Sequence, residues 1–397
     1  FGDRKGFVVA DENTFEAAGR TASEHLAREG VILDEPLIFP GSPVLPCDYR
    51  IIVELRDDIK SRGAVPIAVG SGTLNDLVKV ASFEADTKYM VIATAASVDG
   101  YSAPGASIVR DGFKNSIYCR APHVIMADTR VLRSAPSEMS AAGYGDLSSK
   151  YTAGADWIIA DKLESDPIDQ VCWQIVQDDL DSWLDNPDGV AQNDPESFEK
   201  LFLGLTMTGI SMQRLRKSRP ASGAEHLMSH IWEMRHLMVN RRPVSHGFKV
   251  AIATLAITAL MERIFERTGE QVDRNAWVDW PAKEARISSV FDEPIRASVL
   301  SESRAKHITQ DQHNRRIELG VGQWNEMAQA VGAQLLPYAQ LRERFVKAGA
   351  PVAPESIGLS REDVCETYEL AAMIRNRYTS IDLAIETGLL DDCIQEI

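Results

Sequence analysis

At 397 residues the chain is long enough for two ordinary domains, each able to bury a core without covalent staples. Its 42 basic and 58 acidic residues leave a formal charge of −16 with no long basic run, which argues against nucleic acid as a partner. Cys47, Cys119, Cys172, Cys365 and Cys393 form an odd set without a CxxC pair. That argues against a disulfide framework and against a cysteine-built zinc site, and fits reduced thiols in a cytoplasmic protein.

From Gly6 to about Ala135, short β-rich runs alternate with helical patterns. The runs are "GFVVA", "VILDEPLIF", "VPIAV", "YMVIAT" and "HVIMAD", and helical segments such as Thr14 to Glu29 and Tyr49 to Arg62 lie among them. This alternation predicts βαβ units, hence an N-terminal α/β domain with a mostly parallel sheet over residues 1–135. From about Pro136 the pattern changes to long stretches with apolar residues three or four apart, as in "SFEKLFLGLTMTGISMQRL" and "GAEHLMSHIWEMRHLMVN". An all-helical domain is expected over 136–397. Within it, Asp181 to Lys200 and Arg344 to Asp363 read as loops between helices. The longest apolar run, Val250 to Met261, is too short for the roughly 20 residues a bilayer span needs, so it predicts a buried helix. The chain opens at Phe1 without a charged segment and apolar core, so no signal peptide is expected.

The stretch "GSGTLNDLVK", Gly70 to Lys79, follows the apolar run Val65 to Val69 and leads into a helical pattern. A Gly70-Ser71-Gly72 turn at a strand end exposes backbone N–H groups, and the helix beyond it presents its positive end, an arrangement suited to a pyrophosphate. Asn75 stands where the third glycine of GxGxxG would lie, and a short Gly-Ser-Gly after a strand also reads as a plain tight turn. The next strand, in "VIATAASVDGYSAPGAS", ends in Thr94, Ser97 and Asp99; ligands of open α/β sheets collect at such C-terminal strand ends. At the end of the first run, Asp11 either reaches a nucleotide ribose or leaves helix capping to its neighbours Asn13 and Thr14.

In "GAEHLMSHIWEMRH", His226 and His230 are four apart and project from one helical face, whereas His236 does not share it. His246 opens the most apolar helix, behind Pro243 and a candidate N-cap, Ser245. Two imidazoles need an anion to make a good divalent-metal site, and Asp146 in "GYGDLSSKY" offers one. The plain alternative is a chance histidine pair with Asp146 as a helix cap.

Taken together, "GSGTLNDLVK", "TAASVDGYSAPGAS", "GYGDLSSKYTAGADW", "SGAEHLMSHIWE" and "SHGFKVAIAT" resemble the sn-glycerol-1-phosphate dehydrogenases, and the C-terminal "AAMIRNRYTSIDLAIETGLL" resembles the bacterial branch. These enzymes belong with the iron-containing alcohol dehydrogenases, glycerol dehydrogenases and dehydroquinate synthases. The resemblance implies a dehydroquinate synthase-like two-domain fold, with a Rossmann-like N-terminal domain and a helical C-terminal domain. It implies NAD(H) or NADP(H) on Gly70, Ser71, Gly72, Thr73, Leu74, Thr94 and Ser97, with Asp11 near the adenosine ribose. It makes Asp146, His226 and His246 ligands of one divalent metal, zinc or nickel or else iron, and sets Asp99 and His230 beside Asp146 as the catalytic, substrate-facing residues.

One departure is Ala103, where the family usually has a cofactor-contacting serine; the hydroxyl contact is lost or passes to Ser102. The implied reaction is reversible reduction of dihydroxyacetone phosphate to sn-glycerol 1-phosphate, with Lys150, Lys249 and Arg235 as candidate partners of the phosphate. The rivals are a glycerol-type polyol dehydrogenase, a sugar-phosphate cyclase of the dehydroquinate synthase type, whose first metal ligand is typically Glu rather than Asp, and a catalytically silent assembly protein. A homo-oligomer, dimeric or larger, is expected from the family alone.

Overall fold

The computed structural model describes residues 4–110 and 113–397. Two compact units result, residues 1–147 with 179–217 and residues 148–178 with 218–397.

The first unit is built on a five-stranded sheet of order β2-β1-β3-β4-β7, every pairing parallel. The strands are β1 (Gly6–Asp11), β2 (Leu37–Phe39), β3 (Val65–Gly70), β4 (Met90–Ala93) and β7 (Val124–Ala127). Each inner strand reads as a continuous apolar run because both its faces are covered. Phe7 and Val9 join a core with Ile52, Leu55 and Leu77, whereas Val8 and Ala10 join a second core with Ile67, Val69 and Ile92. Of "VILDEPLIF" only Leu37–Phe39 becomes strand, since Pro36 cannot donate to a ladder; Leu33 makes a single bridge to Gly6. An antiparallel hairpin, β5 (Gly105–Arg110) with β6 (Phe113–Tyr118), occupies a stretch in which no strand was expected. Its first strand alternates buried Ala106 and Ile108 with more open neighbours, the signature of a half-buried ribbon.

The chain returns to this unit at 179–217. The segment read as a loop there contains two short helices, Leu180–Trp183 and Pro187–Ala191, and the start of the long helix Pro195–Leu215. Asn186 and Asp194 accept from the backbone N–H groups of Gly189 and Ser197, and each precedes a proline in the first helical turn.

The second unit is helical apart from a two-residue ribbon, β8 (Met238–Val239) with β9 (Arg242–Pro243). One core unites its helices, among them Ala224–Met234, His246–Phe265 and Arg361–Met373. Gly349 and Gly358, at φ 78° and 79°, end the helix Tyr338–Ala348 and a 3-10 turn, and Ser360 then caps Arg361–Met373. The expected loop at 344–363 is therefore a run of helix ends. No helix among the described residues is long and apolar enough to cross a membrane.

Candidate active site

In the first unit the strand order reverses direction between β1 and β3, which is where open α/β sheets leave a crevice at their carboxyl ends. Asp11, Gly70 and Ala93 end the three adjacent strands β1, β3 and β4, with Gly70 opposite Ala93 in register. Asp11, Asn13, Gly41, Ser71, Thr73 and Leu74 are among the residues lining an open pocket of about 450 Å³ there.

Gly70 is required by contact. A Cβ would stand 2.5 Å from Leu74 Cδ1 and 2.7 Å from Leu74 Cβ, so no side chain fits between the strand end and the first helical turn. The helix Gly72–Glu84 starts at once, and its first backbone bond runs from Asn75 N–H to the Ser71 carbonyl. The N–H groups before Asn75 therefore have no carbonyl one turn back and point toward the positive helix end. Asp11 is itself the helix cap: its Oδ1 accepts from Thr14 N–H at 2.8 Å, and the Thr14 hydroxyl accepts from Asp11 N–H. Ribose contact and capping are thus not exclusive, because the second carboxylate oxygen is outside the cap bond.

Thr94 and Ser97 lie in the buried strand-end loop, and Thr94 N–H donates to the Gly70 carbonyl at 3.2 Å. Lys79 pins the continuation of that loop. Its fully buried ammonium donates to the Gly100 carbonyl at 2.6 Å and the Gly105 carbonyl at 2.9 Å, closing the segment that carries Asp99. Ser102 is fully buried and donates to the Thr206 carbonyl at 2.6 Å, so its hydroxyl is committed to the fold and does not stand in for the serine missing at Ala103. The helix Ser137–Ser148 approaches so closely that a Cβ on Gly143 would lie 1.9 Å from the Ala96 carbonyl oxygen. One turn on, fully buried Asp146 accepts from Asp99 N–H at 3.0 Å.

In the second unit the helices Ala224–Met234 and His246–Phe265 bring three imidazoles together. Ring centres are 6.4 Å apart for His226 and His230, 5.4 Å for His226 and His246, and 6.3 Å for His230 and His246. Ser245 caps the second helix, accepting from Phe248 N–H, and so sets His246 at its mouth. The Nδ1 of His226 meets Glu225 Oε1 at 2.8 Å, that of His230 meets Glu233 Oε2 at 3.1 Å, and that of His246 meets Glu233 Oε1 at 2.9 Å. Burial alone would raise the Glu233 carboxyl, but the bonds from His230 and His246 more than reverse this and hold it well below the usual carboxylate range. Glu225 is lowered in the same way, against its burial, by His226 and by Gly223 N–H.

Beneath Glu225 lies a buried ionic layer. Asp156 accepts from Ala224 N–H and Ser380 N–H, both at 2.6 Å, and Arg219 donates to the carbonyls of Tyr378 and Asp156. Of the candidate phosphate partners, Lys150 is fully buried and donates to the Ser149 hydroxyl, Lys249 pairs with Glu233 at 3.2 Å, and Arg235 pairs with Glu366 at the surface. Glu225, Glu233, Lys79 and Asp156 were not singled out from sequence. The signal for Glu233 was present, three residues after His230 and on its face; Glu225 adjoins His226, and Lys79 closes the quoted glycine-loop motif.

Residues 2–136 match the model of the iron-containing alcohol dehydrogenase family. Glycerol dehydrogenase from Schizosaccharomyces pombe shares the fold at a TM-score of 0.60 and 18% identity, covering 100% of this chain and 85% of that one. More specific is the likeness to glycerol-1-phosphate dehydrogenase [NAD(P)+] of Geobacillus thermodenitrificans (strain NG80-2), 30% identical over 98% of this chain and 88% of the relative. The protein of that name from Bacillus subtilis (strain 168) is 34% identical over 74% of each chain. The chain belongs to the glycerol-1-phosphate dehydrogenase family.

Proposed function

We propose that this chain is a metal-dependent NAD(P)H oxidoreductase that reversibly reduces dihydroxyacetone phosphate to sn-glycerol 1-phosphate. The observation that carries the reading is a donor set. His226 and His246 stand with ring centres 5.4 Å apart in the second unit, and Asp146 offers a fully buried carboxylate in the first. One carboxylate and two imidazoles fit a divalent ion of the zinc, nickel or iron class, and three protein ligands leave coordination open for a substrate. Zinc or nickel is the preferred reading. Family membership over nearly the whole chain supports the nicotinamide cofactor and the phosphorylated substrate.

When bound, the metal supplies Lewis-acid polarisation of a ketone and the nicotinamide supplies hydride. The chain supplies the rest. Residues 1–135 hold the dinucleotide: Gly70, Ser71, Gly72, Thr73 and Leu74 cradle its pyrophosphate, Thr94 and Ser97 contact it further along, and Asp11 meets the adenosine ribose. Residues 136–397 hold metal and substrate. Asp99 hydrogen-bonds a substrate hydroxyl and selects the face of the ketone presented to hydride. His230, in its imidazolium form, passes a proton from Nε2 to the product oxygen, directly or through a water it orients. The enzyme is proposed to work in the cytoplasm as a homo-oligomer.

The test monitors oxidation of NADH and of NADPH by the purified, metal-reconstituted chain, with dihydroxyacetone phosphate beside dihydroxyacetone, and includes His226→Ala. Turnover of the phosphorylated ketone alone, abolished in the variant together with metal retention, is the expected result. Preference for dihydroxyacetone would replace the substrate reading with a polyol dehydrogenase. No oxidation with either ketone would overturn the reading.

A further inference from the structure

Glu233 occupies an unusual position among the carboxylates of the second unit. Its side chain is only 4% exposed, and its two oxygens serve three partners on facing helices. On its own helix, three residues back, His230 reaches Oε2 through Nδ1 at 3.1 Å. From the other helix His246 reaches Oε1 through Nδ1 at 2.9 Å, and Lys249, three residues further on, reaches the same oxygen at 3.2 Å. Two pairs at i, i+3 thus interlock, one imidazole from each helix meeting one shared carboxylate.

A carboxylate has no proton to give here, so a neutral imidazole that bonds to it through Nδ1 must carry its hydrogen on Nδ1 and its lone pair on Nε2. We infer that Glu233 is the positioning residue that fixes the Nδ1–H tautomer and ring orientation of His230 and His246 together, making Nε2 the working nitrogen of both. Lys249 supplies the positive charge that keeps the shared carboxylate compensated in this buried place. The use of the His246 Nε2 at a metal rests on the reading proposed above; the tautomer assignment does not.

Glutamine is the informative replacement. Its amide has one oxygen and one NH2, so it can accept from one Nδ1–H while its NH2 faces the other ring. One of the two imidazoles must then take the Nε2–H form or lose its bond.

The test is a long-range ¹H–¹⁵N spectrum of the metal-free full chain, wild type beside Glu233→Gln, with circular dichroism to establish that each is folded. Both His230 and His246 are expected as Nδ1–H tautomers in the wild type, and one of them is expected to change in Glu233→Gln. Finding either ring as Nε2–H in the wild type overturns the inference without any variant. Zn²⁺ affinity, measured against a competing chelator, is expected to fall about 10–100-fold in Glu233→Gln, with partial recovery in Glu233→Asp. Wild-type affinity and unchanged tautomers in a folded Glu233→Gln overturn the positioning role. If the wild-type chain binds no Zn²⁺, the metal reading fails, and the tautomer spectrum alone decides the role of Glu233.

Discussion

The two units hold their working groups by different means. In the first, the crevice is shaped by main chain: Gly70 and Gly143 allow approaches that no Cβ would survive, and Lys79 ties two carbonyls of the Asp99 loop. In the second, charged side chains do the holding: Glu225 and Glu233 orient imidazoles, and Asp156 and Arg219 form a buried layer behind them. A cradle made of backbone is indifferent to pH and intolerant of volume. A scaffold made of charges tolerates volume better and responds to protons and to loss of a partner.

The largest effect is expected where a buried charge loses its compensation. Arg219 is 1% exposed, donates to the carbonyls of Tyr378 and Asp156, and pairs with the Asp166 carboxylate at 3.5 Å. Arg219→Met should cost about 3–5 kcal/mol in denaturant unfolding, since it strands both acceptors and an acidic group together. A loss below about 1 kcal/mol would show that the ionic layer is not what stiffens the second unit.

The pH response of that layer has a definite sign. Burial first, and then the neighbouring Glu225, push the Asp156 carboxyl up from 3.8 to about 7, against the pull of Arg219 and two N–H donors. The folded chain therefore keeps a proton there that the unfolded chain releases above 3.8. Stability from this group is complete below that value and is lost as pH rises through about 7, at about 1.4 kcal/mol per pH unit within the window. Glu225 and Glu233 are lowered instead, so their contributions fade only as pH falls below their ordinary 4.5. Between pH 5 and 7, Asp156→Asn should flatten the slope of unfolding free energy against pH, whatever it costs in absolute stability. An unchanged slope would assign the proton elsewhere.

In the first unit the corresponding break is steric. Gly143→Ala places a Cβ where the Ala96 carbonyl oxygen stands, so the helix carrying Asp146 must move off the strand-end loop. A loss of about 1–3 kcal/mol is expected, with little dependence on pH between 5 and 8. A pH-dependent loss would mean that the two units are less different than their contacts indicate.

The same contrast explains what could be read in the sequence. The parallel strands were legible because sheet burial on both faces forces continuous apolar runs, and the helices of the second unit because their apolar spacing persists over several turns. The β5–β6 hairpin was not, since its small residues around Ala103 to Ser107 read as loop and its pairing is a relation between segments. That residues 179–217 pack with the first unit is likewise invisible to local periodicity. His226, His230 and His246 stood out as nitrogen donors. Glu233 did not, because a search for ligand atoms overlooks the carboxylate that holds the other nitrogen of the ring.

The smallest expected effect concerns a charge at the surface of the second unit. Arg235 meets Glu366 at 2.9 Å with both side chains near half exposed, at 44% and 51%. A pair so open to solvent is worth less than about 0.5 kcal/mol, so Arg235→Ala should leave unfolding nearly unchanged. Its consequence for turnover is the sharper measurement. Arg235 differs from Lys150 and Lys249 in lying at the surface, while those two are buried among polar partners. If the second unit works only through its buried charges, the KM for dihydroxyacetone phosphate is unchanged in Arg235→Ala. A tenfold rise in that KM with kcat preserved, absent for NADH, would mean that Arg235 leaves Glu366 to meet the phosphate. A surface charge would then belong to the working set, and the division between a rigid ionic scaffold and a solvated exterior would have to be redrawn.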